Sequence, residues 1–119
     1  MPVYGKAVKR RDKRFIRGDT QRFGGHWRQR NVRTGESWDV NLSGWSGVIE
    51  LHGLDDELWY SVACTEMSAD GRAVATIPPD AFMGAQWDSR RHGTWRCRVT
   101  SPDGGTVKTI GWGYWILTF

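Results

Sequence analysis

The side chains able to do chemistry are few and scattered. Three histidines, His26, His52 and His92, fall in separate loops or turns, and no serine or cysteine has a base at a spacing that would activate it as a nucleophile. No glycine-rich loop opens a helix to cradle a phosphate. His92 with Asp88 or Cys97 is the one grouping worth inspection. Cys64 and Cys97 lack second partners at metal-ligand spacing, which argues against a zinc site. Each falls in an expected strand, so two buried thiols is the leading reading. A disulfide between sheets is the alternative, and it needs an oxidising compartment that nothing in the sequence suggests. The expectation is a protein with no catalytic residue, no metal and no cofactor, one that binds and does not transform.

Two features suit binding. The first is charge placement. Of a formal net charge of +4, residues 1–17 carry +6 (Lys6, Lys9, Arg10, Arg11, Lys13, Arg14 and Arg17 against Asp12 alone), which leaves −2 for residues 18–119. A basic arm on a slightly acidic domain attracts acidic partners through a field that salt screens; a solvated leader is the plainer reading. No aromatic interleaving accompanies the arm, so nucleic acid enters only as a partner of the arm itself. The second feature is eight tryptophans in 119 residues. That is more than a small core usually needs, and Trp and Arg dominate interface hot spots. Trp38, Trp45, Trp59, Trp87, Trp112 and Trp115 are the pool of candidate anchors, with Trp45, Trp59, Trp112 and Trp115 preferred alongside the arm cations Lys9, Arg10, Arg11, Lys13, Arg14 and Arg17. The alternative is that most tryptophans are core. Adjacent Tyr114 and Trp115 must face opposite sides of a strand.

The elements that must position these residues are strands. Trp95, Cys97 and Val99 alternate with Arg96, Arg98 and Thr100, the period of a strand with one buried face. Pro102 followed by Asp103 and Gly104 suits a tight turn into a second β-rich run that reaches residue 119. Upstream, residues 21–29 read as a strand weakened or bulged at Gly24 and Gly25, 31–36 as a loop, 37–42 and 48–51 as strands around a kink at Gly44, and 52–57 as an acidic turn. Residues 59–66 and 72–77 form a hairpin about the turn Ser68-Ala69-Asp70-Gly71. Pro78 and Pro79 end it, and 80–83 read as a helical turn or ordered loop. About seven strands without a covering helix point to an all-β fold, an immunoglobulin-like antiparallel β-sandwich over residues 18–119, with a small barrel second. No apolar run is long enough to cross a bilayer and no signal-peptide core is visible, so a soluble protein made in the cytoplasm is expected.

One order of motifs goes further. Arg17-Gly18-Asp19-Thr20, Asp39-Val40-Asn41-Leu42-Ser43-Gly44-Trp45, Asp70-Gly71 leading to Ala75-Thr76-Ile77-Pro78, Gly93-Thr94-Trp95-Arg96-Cys97-Arg98-Val99-Thr100, Pro102-Asp103-Gly104 and Gly111 follow in sequence. This order resembles the β-sandwich domain of tailed-phage virion proteins, the group that includes baseplate upper protein N-terminal domains and tail-fibre attachment proteins. The resemblance covers residues 17–119. It implies a virion location and a role in attaching to or decorating a tail, neck or head through contacts with other virion proteins and with copies of itself, without a membrane. The chain departs from the baseplate version in lacking a long C-terminal extension, which implies a small attachment or decoration protein. A carbohydrate-binding module is the competing expectation, since exposed tryptophans on a sandwich can stack on sugar rings.

Overall fold

A computed structural model describes residues 8–119; residues 1–7, with Lys6 of the basic arm, lie outside the described residues. The described chain is all-β: β1 (Lys13–Ile16), β2 (Gln21–His26), β3 (Arg28–Arg30), β4 (Ser37–Asp39), β5 (Ser46–His52), β6 (Leu58–Ala63), β7 (Glu66–Met67), β8 (Arg72–Ile77), β9 (His92–Thr100) and β10 (Val107–Thr118), with one short 3-10 turn at Ala85–Asp88. Seven strands were expected, and three additions account for the difference. β1 comes out of the basic arm, β3 pairs with β4 in a small separate ribbon, and the run expected at 59–66 breaks in two. The break is a change of sheet: the Cys64 amide still bonds Gly47 O, whereas the next amide, Thr65, bonds Val74 O.

The larger sheet runs β1-β10-β9-β5-β6 and the smaller one β2-β8-β7. They face each other through β10 on β2 and through β5 and β6 on β8. β9 alternates as expected, with Trp95, Cys97 and Val99 buried between the layers beside Ile49, Leu51, Ala73, Ala75 and Ile77. The hairpins turn where their residues allow it. Gly71 takes φ +83° in the β7–β8 turn, and a Cβ there would stand 2.6 Å from Trp27 O, so a left-handed residue without a side chain is required. In the β9–β10 turn the Asp103 carboxylate accepts the Gly105 amide at 2.9 Å, and the Ser101 hydroxyl oxygen accepts the Thr106 amide at 3.0 Å. These side-chain bonds close the turn locally.

A register shift between Thr109 and Gly111 interrupts the β9–β10 ladder. Beyond it Gly111, Gly113, Trp115 and Leu117 face inward and Trp112, Tyr114 and Ile116 face out. The two glycines make room for one indole: a Cβ on Gly111 would lie 3.0 Å from Trp95 Cη2, and one on Gly113 would lie 2.9 Å from Trp95 Nε1. The helical turn expected at 80–83 comes slightly later, after Gly84 at Ala85–Asp88, where it carries Trp87 into the core. Residues 80–83 form tight turns, with Ala81 bonded to Pro78 O and Met83 to Asp80 O.

Candidate functional site

The cations assigned to the arm divide into two groups. Arg17 is a clamp: its Nε donates to Phe82 O at 2.6 Å, Nη2 to Gly84 O at 3.0 Å, and Nη1 to the Asp88 carboxylate at 2.9 Å. Its side chain is 15% exposed. Three of the five guanidinium N–H donors are used on the 82–88 segment. Lys13 is half-buried, with its ammonium 5.8 Å from both the Phe23 and Trp95 ring centres. Burial, then the neighbouring Arg11, lowers its pKa. Arg10 forms a two-pronged pair with Asp12 and lies 4.5 Å over the Tyr114 ring. Lys9, Arg11 and Arg14 keep exposed side chains.

The arm is also docked to the domain. β1 runs parallel to β10 with Lys13 opposite Trp115 and Ile16 opposite Thr118. Ahead of it the Arg11 amide bonds Trp112 O, and two indoles bond back: Trp95 Nε1 to Arg11 O at 2.8 Å and Trp112 Nε1 to Val8 O at 3.0 Å. The boundary read at residue 17 therefore moves; residues 13–16 are a strand of the larger sheet, because their backbone finds in β10 the partner that a free arm would lack.

Among the proposed anchors, Trp115 is a core residue. It is 2% exposed, packs edge-on to Trp59 and Trp87, and its indole N–H bonds His52 O at 3.2 Å and Thr94 O at 3.1 Å. Trp87 is buried too, whereas Trp38 is 45% exposed. Trp45 is half-buried against Trp27, Trp59 is half-buried beneath the Arg90 guanidinium, and Trp112 is half-buried beside Tyr114 on the outer face. Tyr114 and Trp115 do split across the sheet.

Arginines that the sequence reading did not single out, Arg22, Arg28 and Arg72, join Lys9 and Arg11 of the arm along the edge where the two sheets part. A cleft of about 570 Å³ runs between β2 and residues 8–11, lined by Lys9, Arg11, Arg22, Arg28 and Arg72 over Phe23, Ile110 and Gly111. It adjoins a second cavity of about 480 Å³ lined by Trp27, Trp38, Gln29, Arg30 and Lys108. Arg22 pairs with Glu66, Arg28 with Asp39 at 3.5 Å and Arg72 with Asp70 at 3.5 Å. No acidic group pairs with Lys9 or Arg11 among the described residues. The signal in sequence is Arg22, Arg28 and Arg30 at even spacing, which puts same-sign groups along one side of an extended segment.

The histidines stand apart. His26 Nε2 meets Asp39 Oδ1 and Asp70 O, each at 3.0 Å, at the cleft rim. His52 is buried with Nδ1 on Asp56 O at 3.0 Å and Nε2 3.4 Å from Glu50, which also accepts Arg96 Nε at 2.8 Å. Burial pushes the Glu50 carboxyl up, but the hydrogen bonds from Arg96 and His52 outweigh it and hold the group below its ordinary range. His92 is exposed at the start of β9 while Cys97 points into the core, so strand parity separates that pair. Both cysteines are free; Cys97 is buried and Cys64 half-buried. A hydrogen bond to Cys64, with burial, pushes the Cys97 thiol up. No group of three His, Cys, Asp or Glu able to hold a metal occurs among the described residues, and no helix there is long and apolar enough to cross a membrane.

No family model matches the chain, and no curated protein matches it.

Proposed function

We propose that this chain is a non-catalytic virion protein that attaches to or decorates another virion component, in tail, neck or head, through protein contacts. The observation that carries the reading is the outer face of the five-stranded sheet. Ile16 and Ile116 stand there 47% and 44% exposed beside half-buried Trp112 and Tyr114, with the Arg14 side chain among them. A rigid sheet that presents aromatic and aliphatic side chains next to arginine has the composition of an interface core. Its fold is immunoglobulin-like on this proposal. The order β10-β9-β5-β6 against β2-β8-β7 parallels the G-F-C-C′ and B-E-D strands of a variable-type sandwich, and Trp95 sits two residues before Cys97 as the corner tyrosine does before its cysteine in that fold.

The test is the mass of the purified chain alone and mixed with the virion proteins encoded alongside it. A defined complex, or a closed oligomer of identical copies, is the expected result. A monomer at high concentration that joins none of them would refute the reading.

A glycan-binding reading has one specific support, the cavity where exposed Trp38 and half-buried Trp27 stand with Gln29. A flat aromatic next to an amide can stack on and hydrogen-bond a sugar ring. Glycan-array binding that disappears in Trp38→Ala would decide for it, and an array without hits would remove it.

A further inference from the structure

We infer that the cleft beside β2 is a docking groove for an extended acidic segment of the partner protein, which adds to β2 as a further strand; this rests on the attachment reading above. β2 lies at the edge of its sheet, hydrogen-bonded to β8 on one side and to no other strand among the described residues. Its free side faces the cleft, since Arg22, Phe23, Gly24, Gly25 and His26 all line it. The opposite wall is the segment 8–11, which is committed to β10 through Trp112 and to β9 through the Trp95 indole. An open row of backbone N–H and C=O groups along a cleft is a template for one more strand.

Charge selects the occupant. Gly24 and Gly25 serve the fold itself, because a Cβ on Gly24 would stand 1.7 Å from Ala73 O and one on Gly25 would stand 2.7 Å from Ile110 Cγ1. The cleft is cationic on both walls. Arg22 and Arg72 come from the sheet, Lys9 and Arg11 from the opposite segment, and the latter two have no acidic partner among the described residues. Alternate side chains of an added strand point to opposite faces of the sheet, and Arg22 and Arg72 share one face by the β2–β8 register, so acidic residues at every second position fall on the face that carries them. A peptide satisfies the backbone edge and the charge together. A nucleic acid would satisfy only the charge and would leave the backbone edge of β2 unpaired.

The probe is a short fluorescein-labelled peptide of alternating Asp and Val, titrated with the full chain and followed by anisotropy at low salt. Saturable binding is expected. It should weaken about tenfold in the double variant Lys9→Glu/Arg11→Glu, which reverses two exposed rim charges. It should be absent for the Lys-Val analogue and the Asn-Val analogue. A carbonyl-labelled peptide should shift its amide band to the strand position on binding. A melting temperature unchanged in the double variant shows that the loss is not unfolding. Absence of binding, binding indifferent to the charge reversal, bound peptide without strand signal, or a thymidine oligonucleotide that binds where the acidic peptide does not would each overturn the inference. A virion-protein complex that forms equally well with the double variant would also overturn it while leaving attachment intact. Peptide binding with no virion-protein complex would retain the groove and remove the attachment reading.

Discussion

Replacing Trp115 with phenylalanine separates a core tryptophan from an interface anchor. The indole is 2% exposed, touches Phe15, Trp59 and Trp87, and gives its N–H to two backbone oxygens, His52 O and Thr94 O. Phenylalanine keeps the six-membered ring and loses the pyrrole atoms and the donor. Core truncations of this kind cost about 1–2 kcal/mol from lost contacts and cavity, and a buried acceptor left without its donor costs about 1–3 kcal/mol. The total is about 3 kcal/mol. For a chain of 119 residues the entropy of unfolding at the midpoint is about 0.25 kcal/mol/K, so the melting temperature should fall by about 12 °C. Scanning calorimetry of wild type and variant reads this directly. Trp112→Phe is the control, because that ring is half-buried on the outer face and its N–H bond to Val8 O is at the edge of the domain; its fall should be about 4 °C. A Trp115→Phe protein that melts within about 2 °C of wild type would refute the burial argument, most pointedly if partner binding were lost at the same time.

Three other perturbations test the seat of the N-terminal segment and the thiols. Gly113→Ala should release residues 8–12 from β10, since its Cβ would stand 2.0 Å from Arg11 O; amide exchange at Arg11 should accelerate while the β5–β9 ladder stays protected. The Asp12 carboxyl, held down to about 2 chiefly by the Arg10 hydrogen bond and then by the Tyr114 amide, has a folded pKa below its unfolded value. Its contribution is therefore complete above about pH 4 and is lost as pH falls toward 2, so the Tyr114 amide resonance should hold constant from pH 7 to 4 and move only below that. A thiol reagent at neutral pH should label half-buried Cys64 before buried Cys97, and peptide mapping that found Cys97 labelled first would contradict the packing.

Much of the strand framework was legible because local chemistry decided it. The alternation from Trp95 to Val99 and the Ser68-Ala69-Asp70-Gly71 turn needed no distant partner to be read. What was missed depends on residues far apart in the chain. Arg17 reads as one more cation of a basic arm, yet its three acceptors are Phe82 O, Gly84 O and Asp88, between 65 and 71 positions away. The opposite facing of Tyr114 and Trp115 followed from strand parity, but which of them points inward is set by the register shift between Thr109 and Gly111, and a bulge leaves little trace in a hydrophobic pattern. The cleft escaped for the same reason, since Lys9, Arg22 and Arg72 meet only once β2 has paired with β8 and residues 8–11 have joined β10.

The high tryptophan content now has a different explanation from a surplus of surface anchors. Trp95, Trp112 and Trp115 each place an indole N–H on a backbone carbonyl: Arg11 O, Val8 O, and the pair His52 O and Thr94 O. Two of those carbonyls belong to the segment 8–11, which has few apolar side chains of its own and would gain little by burial alone. Directional donors from large rings supply what that segment lacks, a fixed position along β10. The same bonds build one wall of the cleft, so the wall's Lys9 and Arg11 side chains are carried on an ordered backbone and not on a loose tail. A partner segment entering beside β2 would then pay less ordering entropy than one captured by a free basic arm, which ties the placement of the indoles to the strength of the proposed attachment.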